Sequence, residues 1–479
     1  MAVVRKYGFW IFAAVSALLY ILFAHELRRS EHLELLLSFG GLIALWLLMH
    51  RLVPRSWVWL FGVGMAFRLC FLFSTPHLSD DYFRFMWDGE LSKDGYEVFG
   101  FKPLQYADHL AEEDVEKYGA MLRNSTTEFP SGMNSKKYFS IYPTVNQFVF
   151  HTSALGGDPH RTNLDILRLW ILMAEIATFF LLKRLLSLEG RNWTPLGARR
   201  TSDELDKEQI EQGRNALSVH SKFNWLSLYW LHPLIIIELT GNLHLEALAI
   251  TFIVLTLYLA FRNSWIGAGI AVALGVMTKL TPLLLLGALF KQFDWKRWIV
   301  LCAISVITSI TLFTIYVNLE TFQNFKDSVG LFFAWFSFNT GIYYAVKELV
   351  LGISGSDISA HISLIFPFIS AAIMIWLAFF KKLDVATTAL FLFTTYFMFT
   401  PILHPWYITV LIPLGILSRK VFPLVWSVLI FGTYLAYGDS FKEPLWWIFF
   451  EFTAVIFILF SEFRRTPNRM HKFANFIYG

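Results

Sequence analysis

The chain has 479 residues, of which 56% are hydrophobic, 18% aromatic and only 16% charged. A soluble globular protein carries about 25% charged residues, so charges clustered between long apolar runs indicate repeated membrane spans. Forty basic against 36 acidic residues is too even a balance for a nucleic-acid-binding surface, and Cys70 and Cys302, both inside apolar runs, offer neither a disulfide framework nor a thiolate metal site.

In chain order, spans of roughly 17–25 apolar residues are predicted near 8–24, 34–50, 57–74, 162–182, 223–240, 243–261, 298–317, 358–380, 384–402, 405–418, 421–437 and 445–463. A shorter pair, 264–278 and 281–290, reads as a hairpin. The expected fold is an all-α polytopic membrane protein, a bundle of about 12–14 transmembrane helices. The first run follows Arg5 and Lys6 and lacks a small-residue cleavage site, so it is read as an anchor.

Lys and Arg crowd one set of loop ends: Arg51 and Arg55, Arg262, Lys291 to Arg297, Lys381 and Lys382, Arg419 and Lys420. The opposite set holds few, chiefly Arg28 and Arg29, Lys326, Lys347 and Lys442. The positive-inside rule then puts both termini in the cytoplasm. The chain divides into three spans (1–74), an extracytoplasmic loop with juxtamembrane helices (75–161), a span (162–182), a cytoplasmic polar linker (183–222) and the remaining bundle (223–479). The outer loop holds thirteen Asp/Glu against eight Lys/Arg and many aromatic residues. The linker's Ser/Asp/Glu/Gln-rich middle, Thr201 to Gln212, is expected to be solvated and without a catalytic role.

Just after the third span comes Ser79-Asp80-Asp81-Tyr82-Phe83-Arg84-Phe85-Met86-Trp87-Asp88-Gly89. As a helix it would line Asp81, Arg84 and Asp88 along one side and lay Phe83, Met86 and Trp87 against lipid. Ser79 or Asp80 can cap it, and carboxylates suit the positive end of its dipole. That accounts for the acidic residues without chemistry. The alternative is that one carboxylate takes a proton from an acceptor hydroxyl, with Asp81 favoured over Asp80.

Other motifs end on the same face. Gly241-Asn242-Leu243-His244-Leu245-Glu246 forms a turn between spans, and its His and Glu are either caps or ligand contacts. Phe338 to Tyr344 reads as packing. Pro405 of His404-Pro405-Trp406-Tyr407 opens a span and leaves outward amides suited to phosphate, although Trp and Tyr there equally fit an aromatic belt. Lys279, at the hairpin tip with Thr281 as cap and Pro282 starting the second arm, needs a partner inside the membrane. A phosphate, snorkelling, or an acid such as Glu238 would serve. Arg68 and Glu175 are likewise intramembrane charges that can pair. Asn124-Ser125-Thr126 has the pattern of an N-glycosylation acceptor, a triplet common by chance.

Taken together, and in this order, SDDYFRFMWDG, IYPTVNQ (Ile141 to Gln147), GNLHLEALAI, MTKLTPLLLL, FNTGIYY and HPWY resemble bacterial GT-C mannosyltransferases, over about residues 57–415. The resemblance implies a membrane glycosyltransferase, in a bacterial cytoplasmic membrane, with an extracytoplasmic active site. It implies inverting transfer of a hexose, mannose by the family's habit, from a polyprenyl-phosphate donor to a glycan or glycolipid acceptor. It marks Asp80 and Asp81 as catalytic, and Lys279, Arg84, His404 and Trp406 as holding the donor phosphate. Trp87, Asp88, Tyr142, Gln147, Asn242, His244, Glu246 and Tyr407 are marked for substrate binding. No cofactor is required by this scheme; a two-Asp site could hold Mg²⁺ or Mn²⁺, but nothing in the oxygen ligands asks for one. The sequence departs from the family's pattern at Tyr96 to Phe99, at Thr144 and at Glu246, which leaves acceptor and sugar open. The rival reading is a transporter or lipid-linked sugar flippase, for which the hairpin at Lys279 would be a broken helix at the midplane.

Overall fold

The computed structural model describes residues 2–54, 56–108, 111–124, 133–157, 161–188, 219–335, 337–355, 359–438 and 441–463. The middle of the polar linker and Ser125 and Thr126 of the triplet lie outside the described residues. The chain is an all-α polytopic membrane protein. Among the described residues, Tyr7–His25, His32–Arg51, Trp295–Phe313 and Leu445–Phe463 are helices long and apolar enough to cross a membrane.

The first two long helices, α1 (Ala2–His25) and α2 (His32–Arg51), form a hairpin joined by a short turn. They are followed by α3 (Trp57–Leu69) and, in the first large loop, by α4 (Asp81–Lys93), α5 (Glu112–Asn124) and α6 (Thr144–Ala154). Next come α7 (Thr162–Leu188), α8 (Val219–Trp230), α9 (Glu246–Phe261) and α10 (Trp265–Val276). The rest comprises α11 (Trp295–Phe313), α12 (Leu319–Trp335), α13 (Gly341–Ser354), α14 (Ser359–Ile375), α15 (Val385–Phe399), α16 (Leu411–Ser418), α17 (Phe422–Leu429) and α18 (Leu445–Phe463).

The hairpin is anchored by aromatic contacts. Phe39 of α2 stacks on Phe431 at 3.7 Å, and Tyr20 of α1 meets Phe67 of α3 at 4.9 Å between ring centroids. Buried charge ties the next helices together. Arg68 on α3 pairs with Glu175 on α7 at 2.7 Å, donates to the carbonyls of Gly64 and Trp230, and lies 3.8 Å over the Trp230 ring. Glu175 also accepts from the Thr240 hydroxyl. Of the partners open to Arg68, the structure selects Glu175. A charge in the apolar interior needs such pairing to persist there.

Several predicted spans prove to be broken. The run from Ile236 to Gly241 is a π-helical turn, and 281–284 is a 3-10 turn followed by five α-helical residues. The span opening at Pro405 is a single turn, Pro405–Ile408, before α16. Such irregular backbone is tolerated at membrane depth where protein buries it or where it lines a cavity. α12 and α13, in the loop before the span at 358, were read from sequence as loop rather than helix.

Candidate active site

Helix α4 starts where the Asp81 amide donates to the Ser79 hydroxyl at 3.3 Å, whereas Asp80, the residue at the cap position, makes no side-chain capping bond. The lipid-facing stripe expected of this helix is absent. Tyr82 through Leu91 are all buried, Phe83, Met86 and Trp87 included. Phe85 stacks on Phe150 of α6 at 4.7 Å, and Trp87 meets the rings of Tyr106 and Tyr118. Gly89 permits the close approach, since a Cβ there would fall 2.4 Å from the Phe150 carbonyl oxygen. An aromatic helix read alone looks interfacial; here later helices cover every face.

Asp88 is a junction rather than a wall of the cavity. It accepts from Arg84 Nε at 2.6 Å, from the Ser140 hydroxyl at 2.5 Å and from Gln147 at 3.0 Å. Arg84 then donates through Nη1 to the Tyr138 carbonyl at 2.9 Å, while its buried Nη2 has no partner among the described residues. Farther along the IYPTVNQ motif, the Val145 amide donates to Met277 O at 2.9 Å and Asn146 Nδ2 to Thr278 O at 2.8 Å. These two bonds fix the residues immediately before Lys279. Pro282 lies in the turn that follows, and Thr281 makes no side-chain cap.

The GNLHLE turn is set by the π turn before it. The Asn242 amide reaches Ile237 O at 2.9 Å, and its side chain donates to Glu238 at 3.1 Å. Leu243 has φ 61°, a left-handed conformation that a branched side chain adopts only when its surroundings impose it. His244 is thereby turned toward Ser79, with Nε2 at 3.2 Å from the hydroxyl, and its ring stacks on Trp406 at 3.8 Å. Trp406 stacks in turn on His404 at 4.3 Å, and His404 lies against Phe338 at 4.7 Å. Phe338 is held beside this stack by two backbone bonds, its amide to Pro401 O and the Leu403 amide to its own carbonyl. The FNTGIYY motif therefore supports the site as well as packing.

Glu238 is committed to Asn242, Tyr434 and His244, so it is not the partner of Lys279. Lys279 instead forms an ion pair with Glu246, and its ammonium lies 3.4 Å from the centroid of the Tyr407 ring. Of the amides expected to offer a phosphate site after Pro405, that of Tyr407 is already engaged. The helix there is one turn long and the Tyr407 amide is bonded to His404 O at 3.1 Å.

These elements enclose a cavity of about 530 Å³, within the size of small-ligand pockets. Asp80, Asp81, Arg84, Tyr142, His244 and Glu246 line it, as do Lys279, His404, Trp406 and Tyr407. Trp87, Asp88, Gln147 and Asn242 do not; of these, Asp88 and Gln147 bond the lining residues Arg84, Ser140 and Tyr142 from behind. Several lining residues were not singled out from the sequence, namely Arg29, Asn134, Asn146, Tyr138 and Tyr437. Arg29 had counted only as an orientation marker. Asn146, whose buried Oδ1 has no partner among the described residues, lay unremarked inside a quoted motif.

The cavity's cations are matched to carboxylates: Arg84 to Asp88, Lys279 to Glu246, and Arg29 to Asp80 at 3.8 Å. Asp80 also accepts from Asn134 at 3.2 Å. Asp81 has no ion pair of its own among the described residues. Burial, with the negative charges of Asp80 and Glu246 nearby, raises its carboxyl to about 7, against the opposing pull of Asn134 and Lys279. Among the described residues no group of three His, Cys, Asp or Glu converges as a metal site would require.

With this geometry in place, comparison with known proteins adds one finding. Residues 217–292, from α8 through the hairpin after Lys279, match the family model for the N-terminal domain of alpha-(1->6)-mannopyranosyltransferases. That segment carries Asn242, His244, Glu246 and Lys279, and it supports a glycosyltransferase similar to GT-C mannosyltransferases. No curated protein and no solved structure gives a match.

Proposed function

We propose that this protein transfers mannose from a polyprenyl-phosphate donor to a hydroxyl of a glycan or glycolipid on the extracytoplasmic face, by inverting single displacement. The observation that supports this most directly is the pairing pattern of the cavity. Arg84 and Lys279, and a carboxylate, Asp81, that has a raised pKa and no ion pair of its own among the described residues, share one pocket between the membrane helices and the first large loop.

In this reading the donor phosphate lies by Lys279 and Arg84 Nη2. Lys279 exchanges part of its pairing with Glu246 for the phosphate, and the unpartnered Nη2 donates to a phosphate oxygen. Preorganised positive charge of this kind stabilises the leaving group as its bond to the anomeric carbon breaks. The polyprenyl chain leaves the pocket past the apolar lining residues Leu280 at the hairpin tip, Val329 of α12 and Phe397 of α15. An acceptor hydroxyl attacks the anomeric carbon from the opposite face and gives its proton to Asp81. A base with a pKa near the working pH is suited to that task. Asp80, held by Arg29 and Asn134, serves to position. The scheme uses no metal ion.

The test is to supply radiolabelled polyprenyl-phosphate-mannose to the purified protein in detergent with a glycolipid extract of the membrane. Label appearing in a glycan or glycolipid product supports transfer. Label that crosses the bilayer of sealed vesicles without forming a product would support a flippase instead.

A further inference from the structure

The hairpin α1–α2 precedes the part of the chain that resembles the mannosyltransferases, which begins at about residue 57. Yet its turn reaches the cavity. The turn is braced by the Arg28 amide donating to Glu31 Oε2 at 3.0 Å, and by His32 Nε2 lying 2.8 Å from the Tyr437 carbonyl oxygen. Between these braces Arg29 faces the pocket. Its Nη1 stands 3.8 Å from Asp80 Oδ1, and its guanidinium lies 4.9 Å from the centre of the Tyr437 ring.

A separation of 3.8 Å is an ion pair but not a hydrogen bond. At such a distance a hydroxyl can bridge donor and acceptor, as interfacial waters do. A guanidinium offers several N–H donors in a fixed plane and a carboxylate offers only acceptors. Asn134 adds an amide that donates to the same Asp80 oxygen at 3.2 Å. Beside them the rings of Tyr437, Phe338 and Phe441 cluster in the cavity wall, with centroids 5.5–6.1 Å apart. Polar groups of both kinds flanking an aromatic wall match a pyranose, whose hydroxyls need donors and acceptors and whose ring carbons are apolar. Lys279, the ammonium assigned to the donor phosphate, lies against Tyr407 and Glu246 rather than against these rings.

We propose that Arg29, with Asp80 and Asn134 against Tyr437, forms the subsite for the acceptor's terminal sugar, and that a neutral vicinal diol bridges the Arg29–Asp80 pair. The N-terminal hairpin thus supplies an acceptor determinant from outside the mannosyltransferase-like region. This rests on the transferase reading above.

The test uses octyl α-mannopyranoside as acceptor probe and polyprenyl-phosphate-mannose as donor, with Arg29→Met and Arg29→Lys compared to the wild type. Free mannose (transfer to water) and mannosylated octyl mannoside are measured in the same reaction. Losing a charged hydrogen bond to the acceptor costs about a tenfold factor. Arg29→Met should therefore raise the KM for the mannoside about tenfold and raise the ratio of hydrolysis to transfer by a similar factor. Arg29→Lys should restore part of the loss. A KM increase for the donor instead, or a constant product ratio, would overturn the subsite. So would wild-type hydrolysis with no transfer to the mannoside, which would rule out a pyranoside diol as the ligand. Absence of both products in the wild type would remove the transferase reading beneath it.

Discussion

The raised pKa of Asp81 gives the account its sharpest quantitative consequence, a pH dependence unlike that of an ordinary carboxylate. The perturbation is pH alone, on the wild-type protein. A base must be ionised to accept the acceptor's proton, and burial with two neighbouring negative charges places this carboxyl at about 7 rather than near its usual 3.8. The ionised fraction is then about one half at pH 7, about a tenth at pH 6 and about a hundredth at pH 5. Transfer efficiency, kcat/KM at subsaturating acceptor, should climb about fiftyfold from pH 5 to pH 7 and level off above pH 8 at about a hundred times its pH 5 value. The assay is initial-rate transfer in detergent across that range, with donor hydrolysis followed alongside. Asp80→Asn removes one of the two repelling charges, so the acid limb should move to lower pH in that variant. A profile already flat at pH 5, as expected of a carboxylate with its ordinary pKa, would refute the assignment of Asp81 and the electrostatic reasoning behind it.

Other consequences follow from individual contacts. Lys279→Met should raise the KM for a polyprenyl-phosphate donor by about tenfold or more, which a donor titration would read. An unchanged dependence on donor concentration would take the ammonium away from the phosphate. Asp88→Ala leaves Arg84 buried and unpaired and strips Ser140 and Gln147 of their common acceptor. A loss of about 3–5 kcal/mol is expected, seen as a lower unfolding midpoint in detergent and a lower yield of folded protein. Gly89→Leu places side-chain atoms where the Phe150 carbonyl now sits. It should separate α4 from α6 and abolish activity, while Gly95→Asn, at a positive φ with open space around it, should fold normally.

How much of this was legible in the sequence depends on the range of the forces involved. The all-α membrane class follows from composition, and the pairing of Arg68 with Glu175 was among the alternatives because two lone charges in apolar runs have few partners. The approach of Asp80, Asp81, Lys279 and His404 to one cavity was anticipated from motif order. The burial of α4 was not. Its aromatic residues suit a lipid surface as well as a protein interior, and the later segments that cover it, Tyr106, α5 and α6 among them, decide between them. The partner of Lys279 was left open among a phosphate, snorkelling and an acid such as Glu238 for a related reason. The π turn at Ile236–Gly241 directs Glu238 to Asn242 and Tyr434 and leaves Glu246 to the lysine. Hydropathy does not register a π turn or the left-handed Leu243. Arg29 escaped notice because a basic residue beside a span already has an explanation in topology, and its position against Asp80 and Tyr437 is purely tertiary.

The most direct test compares single-turnover transfer by Asp81→Asn and Asp80→Asn with saturating polyprenyl-phosphate-mannose and one acceptor. Removal of the base should slow the chemical step about 10²–10⁴-fold in Asp81→Asn with donor binding retained. Asp80→Asn should keep turnover within about tenfold of the wild type and lose mainly acceptor affinity. Full activity in Asp81→Asn, or the larger loss falling on Asp80→Asn, would contradict the account.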